Sequence, residues 1–370
     1  MMDKGVNKEL ARCLRALVVY AHAIHGDWVE QWVREKRLCP VIYGVDGAVD
    51  ECFSPPFLQE CRNAYFHMIG KSHRFLAEAE RVTALLMANG IDSLAWRGAV
   101  YGQELYGDAG VRCYSDLDIL VSPVHQRSAL RVLCGAGYRL RNGKLPVWFL
   151  ARHHLHWPML SPDGQVPIDV HWAVDHPYTI GPRVPVDVFL ADKHGLARIL
   201  LAALHVEKEA RLRTCESEEE LCDRVFRVGP VWPWLDMALM ISDASNAGRD
   251  DEMDQYAERQ GAGILMGRVR YVLARWFDVS GDGRFIFRPT SKRTHRVGRP
   301  WVVTVAAGIG CRADVLLDWV DYAGETVSPV EKIKRLLKVF RLACDSAVVG
   351  VYGFGKGLFK RTARRGMALP

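Results

Sequence analysis

The chain has 370 residues, room for about two or three domains. Hydrophobic residues make up 49% and charged residues 25%, an ordinary globular balance, and the net charge of +6 suits phosphate-bearing ligands without demanding nucleic acid. Ten cysteines without a C-x-x-C pair fit reduced thiols better than a disulfide framework or a zinc site. The N-terminus carries no signal-type apolar run and no stretch offers the roughly 20 apolar residues of a membrane span. A soluble, cytoplasmic protein with no membrane partner is expected.

In chain order, residues 6 to 36 read as amphipathic helix, with Leu10, Leu14 and Val18 near helical spacing and Trp28 and Trp32 on one face. Loop follows to Ser54-Pro55-Pro56. Residues 57 to 89 are helical again, with a break expected near Gly70 and a C-cap at Gly90. Residues 91 to 97 form the first expected strand. Gly98 then allows a sharp turn and close approach to a ligand. A short helix from Ala99 to Tyr106 presents its free N–H groups to that turn, a ready site for phosphate.

A second strand is expected over Tyr114 to Val121. Asp116 and Asp118 lie two apart and so share a face, while Leu117, Ile119 and Val121 point to the core. Paired carboxylates on one face repel unless a cation lies between them, and Mg2+ or Mn2+ suits such oxygen donors. Arg97 and Arg112 are candidate triphosphate contacts, because a guanidinium holds phosphate through a planar fork of donors. The alternative for each is an ion pair with an acid.

Pro123 opens a helix to about Cys134, followed by a strand at Tyr138 to Leu140. Residues 151 to 160 and 165 to 174 read as two strands joined through Asp163-Gly164, a strong hairpin signal. In the second of these, Ile168 and Val170 face one way and Asp169 and His171 the other. His153, His154, His156 and His171 invite a zinc reading, but no Cys or Glu completes a recognised spacing. Residues 186 to 275 are mostly helical; His205 and Lys208 there either face the cleft or lie on the surface. Residues 279 to 300 form a basic loop, 329 to 347 a helix, and 356 to 365 a basic tail. A solvated charged tail is the commoner meaning of such a segment, and no RNA-binding motif accompanies it.

Residues 84 to 140 resemble the core of a branch of the polymerase-beta-like nucleotidyltransferase superfamily. The matching pieces are a hydrophobic helix ending in Asn89-Gly90, then Arg97-Gly98, Leu105-Tyr106-Gly107, Arg112, Asp116-Leu117-Asp118 and Gly137-Tyr138. The likeness runs to about residue 175 and more weakly to about 240. Where the superfamily has Gly-Ser or Gly-Gly, this chain has Gly98-Ala99, and so lacks a hydroxyl that often touches the phosphates. The resemblance implies an α+β fold: a small mixed sheet in residues 91–180, flanked by helical segments at 1–90 and 181–278, with a basic and helical segment at 279–370.

It also implies metal-dependent transfer of a nucleoside monophosphate, AMP from ATP being the expected case, from a nucleoside triphosphate to an unidentified acceptor. Asp169 becomes the third carboxylate beside Asp116 and Asp118, and His171, part of a His-Trp the family carries at this strand end, supports the site. Arg97, Gly98, Ala99 and Arg112 would hold the nucleotide. Two other classes stay open, a non-catalytic nucleotide-binding scaffold of the same fold and a nucleic-acid binder using the basic C-terminal region.

Overall fold

The computed structural model describes residues 4–45, 49–141, 146–174, 184–210 and 230–277. The basic loop, the helix and the basic tail expected beyond residue 278 lie outside the described residues. The chain divides into two compact units. One comprises Met1–Arg141, Trp157–Asp175 and Pro182–Pro289; the other comprises Asn142–His156, His176–Gly181 and Thr290–Pro370.

In the first unit the N-terminal helices are α1 (Lys4–His25), α2 (Val29–Glu35), α3 (Cys39–Gly44) and α4 (Pro55–Ala88). Two prolines open α4, where a missing N–H is no loss. Phe57, Cys61, Met68, Phe75, Ala79, Val82 and Leu86 form its buried stripe. It ends where Gly90 takes φ +70° and the Ile91 N–H donates to the Leu86 carbonyl at 3.0 Å. The break expected near Gly70 is absent; α4 runs straight through it.

The sheet contains β1 (Ser93–Trp96), β2 (Leu117–Val121), β3 (Arg139–Leu140), β4 (His156–Leu160) and β5 (Pro167–His171), ordered β1-β2-β5-β4-β3. Strand β2 is antiparallel to β1 and parallel to β5, and β3 is antiparallel to β4. The Asp163-Gly164 turn joins β4 to β5. Asp163 accepts from the Ser161 hydroxyl and from the Gln165 N–H at 3.0 Å, and Gly164 takes φ +75°. Helix α5 (Gly98–Leu105) follows β1, and α6 (Gln126–Gly135) follows β2 after a short 3-10 turn at Pro123–His125.

The strand expected from residue 151 does not begin there. Residues Val147–His153 form helix α7, in the second unit, and β4 starts at His156. The run from Trp148 to Arg152 suits either element by composition, and short apolar runs do not separate the two.

Helices α8 (Val186–Ala191), α9 (Leu196–Ala210), α10 (Trp232–Asn246), α11 (Asp250–Arg259) and α12 (Gly263–Trp276) share one hydrophobic core with α1–α4 and with Trp96, Tyr101, Tyr106 and Leu120. The protein is thus α+β, with a five-stranded mixed sheet among many helices. None of the described helices is long and apolar enough to cross a membrane. The described cysteines 13, 39, 52, 61, 113 and 134 form no disulfide.

One buried ion pair fastens the loop before β2 to α10. Arg112 donates through Nε to Asp236 Oδ1 at 2.9 Å and through Nη2 to Oδ2 at 2.7 Å, while the Tyr106 hydroxyl donates to Oδ1 at 2.8 Å. Both partners are almost fully buried. Burial works against the Arg112 charge, but the Asp236 carboxylate outweighs it and raises the guanidinium above its ordinary value. Removing one partner strands the other without water. Asp236→Ala should therefore destabilise the chain by about 3–5 kcal/mol in denaturant unfolding, far beyond a surface Asp→Ala change.

Candidate active site

The site begins where β1 ends. Arg97 sits at φ 60° and ψ −163°, a backbone region nearly confined to glycine, and Gly98 follows at φ +50°. The strain turns the chain sharply into α5. A Cβ on Gly98 would lie 3.3 Å from the Asp116 carbonyl oxygen, so the α5 start packs tightly on the bend before β2. Ala99, in the first turn of α5, is buried. The Arg97 guanidinium lies 4.1 Å from the centre of the Trp96 ring.

Register builds the rest. Trp96 stands opposite Asp118 across β1 and β2, and Asp118 stands opposite Asp169 across β2 and β5. Opposed residues share a face, so the two carboxylates are neighbours on adjacent strands. His171, two residues after Asp169, takes the same face. Both contacts to Asp118 fall on one oxygen: Arg97 Nη2 lies 2.7 Å from Oδ1 and His171 Nε2 lies 2.8 Å from it.

The two acids are driven apart electrically. Burial alone would raise the Asp118 carboxyl, but Arg97 and His171 outweigh it and hold it well below the usual carboxylate range. Asp169 is pushed up to about 7, first by burial, then by the charges of Asp118 and Asp116; Arg141, 3.7 Å away, offsets this in part. Burial lowers His171 despite its bond to Asp118, so neutral His171 donates Nε2–H to the carboxylate. His205 is lowered well below its ordinary value by burial, then by Arg97 and Lys208. Its Nε2 and Nδ1 lie 2.6 Å and 2.9 Å from Arg97 Nη1, and since a guanidinium only donates, a ring nitrogen of His205 accepts there.

Asp116 sits in the bend before β2, because the strand starts at Leu117 and not at Tyr114. It is half-buried, and its charge reaches Asp169 and Lys71. Arg112 needs a correction: instead of a triphosphate position it occupies the core, where its fork of donors is committed to Asp236. Sequence reasoning left His205 undecided between cleft and surface; it contacts Arg97. Arg141 was not singled out, and nothing local marks it. His153, His154 and His156 belong to the second unit.

A five-stranded mixed sheet among many helices is consistent with the core of a nucleotidyltransferase. Residues 22–222, more than half the chain, match the family described as uncharacterised nucleotidyltransferase, and the protein belongs to that family. No curated protein and no solved structure matches the chain.

The raised Asp169 carboxyl has a pH signature. Its folded form keeps a proton from the ordinary range near 3.9 up to about 7, where the unfolded chain has lost it. The native state then binds more protons than the unfolded one, so this group lowers stability as pH rises through that window. Asp118, held low, acts oppositely: its contribution is present above the ordinary carboxylate range and is lost in acid. In chelator-containing buffer, Asp169→Asn should melt close to wild type near pH 4 and roughly a few degrees above it near pH 8. A difference in melting temperature independent of pH would contradict the charge crowding.

Proposed function

We propose that this chain transfers a nucleoside monophosphate, AMP from ATP in the simplest case, to a hydroxyl or amine on an acceptor. The observation that carries this reading is the in-register pair Asp118 and Asp169 on adjacent parallel strands, with Asp116 beside them. The donors are all hard carboxylate oxygens, and the repulsion that raises Asp169 is what a divalent cation relieves, so the set fits Mg2+ or Mn2+. Asp116, Asp118 and Asp169 would hold the metal, which when bound supplies charge stabilisation at the reacting phosphate oxygens.

The chain's own groups take the other roles. Arg97, the Gly98 turn and the first N–H groups of α5, from Ala99, hold the triphosphate. His171 fixes the Asp118 carboxylate through its Nε2–H. The acceptor oxygen or nitrogen attacks the alpha phosphorus, a new bond to phosphorus forms, and the bond to the bridging oxygen breaks. Pyrophosphate leaves with that electron pair. The acceptor's proton goes to the Asp169 carboxylate, which a bound cation would keep deprotonated and able to accept it.

Two variants separate binding from transfer. Asp118→Asn should abolish metal-dependent nucleotide binding in calorimetry while the chain still folds. Asp169→Asn should keep much of the nucleotide affinity but lower metal-dependent pyrophosphate release by on the order of a hundredfold or more. Unchanged nucleotide affinity in Asp118→Asn would put the site elsewhere. Binding without any release in the wild type would favour a nucleotide-binding scaffold, the reading that the missing hydroxyl at Ala99 supports.

A further inference from the structure

Beside the carboxylates the first unit has an open cleft of about 520 Å3, formed between α4 and the leading ends of β2 and β5. Helix α4 supplies His67, Gly70, Lys71 and Arg74 at the spacing of one helix face. The opposite wall is Ser115, next to Asp116, together with Gln165 and Pro167, the latter two residues before Asp169. A cleft of this size suits a small ligand.

Its lining carries two cations, Lys71 and Arg74, although the charge of Asp116 reaches Lys71 from outside the lining. No carboxylate lines it. Neither Lys71 nor Arg74 has an ion-pair partner among the described residues. Lys71 lies 5.0 Å from the Phe75 ring centre and 4.8 Å from that of Tyr114, and donates to the Tyr114 carbonyl. That bond uses one of its three N–H donors. Arg74 donates Nη1 to Gln165 Oε1 at 3.3 Å, a neutral partner, and its charge reaches Asp163 without forming an ion pair with it.

Gly70 is the second, independent observation. Glycine inside a helix weakens it, so a reason is wanted. Gly70 has ordinary helical backbone, and a Cβ there would meet nothing within 4 Å, so neither φ nor packing demands glycine. It does line the cleft, and any side chain there would project into that space.

We propose that this cleft anchors the acceptor, and that the acceptor carries a phosphate group held by Arg74 and Lys71, with Gly70 leaving room for the rest of the molecule. This rests on the nucleotidyl-transfer reading, which puts the reacting phosphorus at the adjacent Asp116, Asp118 and Asp169. The nucleotide's own phosphates belong at Arg97 and the α5 start, so the two ligands would be bound together.

The test is calorimetric titration of the full chain with inorganic phosphate, alone and with saturating Mg2+ and a non-hydrolysable ATP analogue. Saturable phosphate binding is expected in both conditions. Arg74→Glu should weaken it by about tenfold or more, as loss of a charged hydrogen-bond donor does. Gly70→Met should weaken binding of a phosphomonoester such as glycerol phosphate without lowering the melting temperature, since α4 gains a better helix former. Arg62→Glu, an exposed charge change on α4 outside the cleft, should have little effect. The proposal is overturned by absence of saturable binding, by equal weakening in Arg62→Glu and Arg74→Glu, or by complete displacement of phosphate by the nucleotide. Asp118→Asn keeps the two readings apart. If it leaves nucleotide affinity intact, the transfer reading fails, while the metal-free phosphate titration still judges the cleft.

Discussion

The arrangement depends on one register: β2 pairs with β5 in parallel so that Asp118 stands opposite Asp169. A slip of one residue would turn every β5 side chain to the other face, sending Asp169 into the packing side and Val170 or Ile168 against Asp118. Burial on both faces guards against the slip, since Ile119, Ile168 and Val170 are fully buried opposite the acids. The same burial sets the electrical problem. Two carboxylates taken from water side by side each resist the other's ionisation, and the protein settles it unequally. Asp118 receives Arg97 and His171 and stays charged; at Asp169 burial and the neighbouring acids outweigh Arg141 and Arg97 and raise the carboxyl to about 7.

Arg97 therefore joins the fold to the chemistry. Its backbone conformation is one that a β-carbon resists, at a cost on the order of 1–3 kcal/mol, and the surroundings hold it there. Stacking on Trp96, the Asp118 ion pair and the His205 contact all act on the same side chain. His205 comes from α9, whose apolar residues pack into the helical core with α10. The buried Arg112–Asp236 pair then ties the approach to β2 to α10. The helices after the sheet thus position the site as well as cover it.

Much of this was legible in the sequence where the signal is local. Gly90 as a cap, the turn at Gly98, the Asp163-Gly164 hairpin and the alternation of Asp169 with Ile168 and Val170 each follow from neighbouring residues. The differences arise where a distant contact, or the packing of a whole element, outweighs the neighbouring residues. Arg112 reads equally as a phosphate binder or as the partner of an acid, and the acid that takes its fork, Asp236, lies 124 residues away. Asp116 reads as strand by alternation, yet the tight seating of Gly98 against its carbonyl accompanies a bend that delays β2 to Leu117. Gly70 reads as a helix break, but a long buried stripe on α4 overrides a single weak helix former. Residues 151–153, the end of α7, read as strand because the apolar run there is too short to show a period.

If Asp169 and Asp118 form one cation site, as proposed, a metal entering it must displace the proton that Asp169 carries below about pH 7. Calorimetric titration of Mn2+ without nucleotide, in two buffers of different ionisation heat, measures that directly. Metal ligation needs the carboxylates deprotonated. Release of close to one proton per bound metal is expected near pH 6, little near pH 8, and no pH dependence in Asp169→Asn. Metal binding without proton release at pH 6, or with the same release in Asp169→Asn, would contradict it.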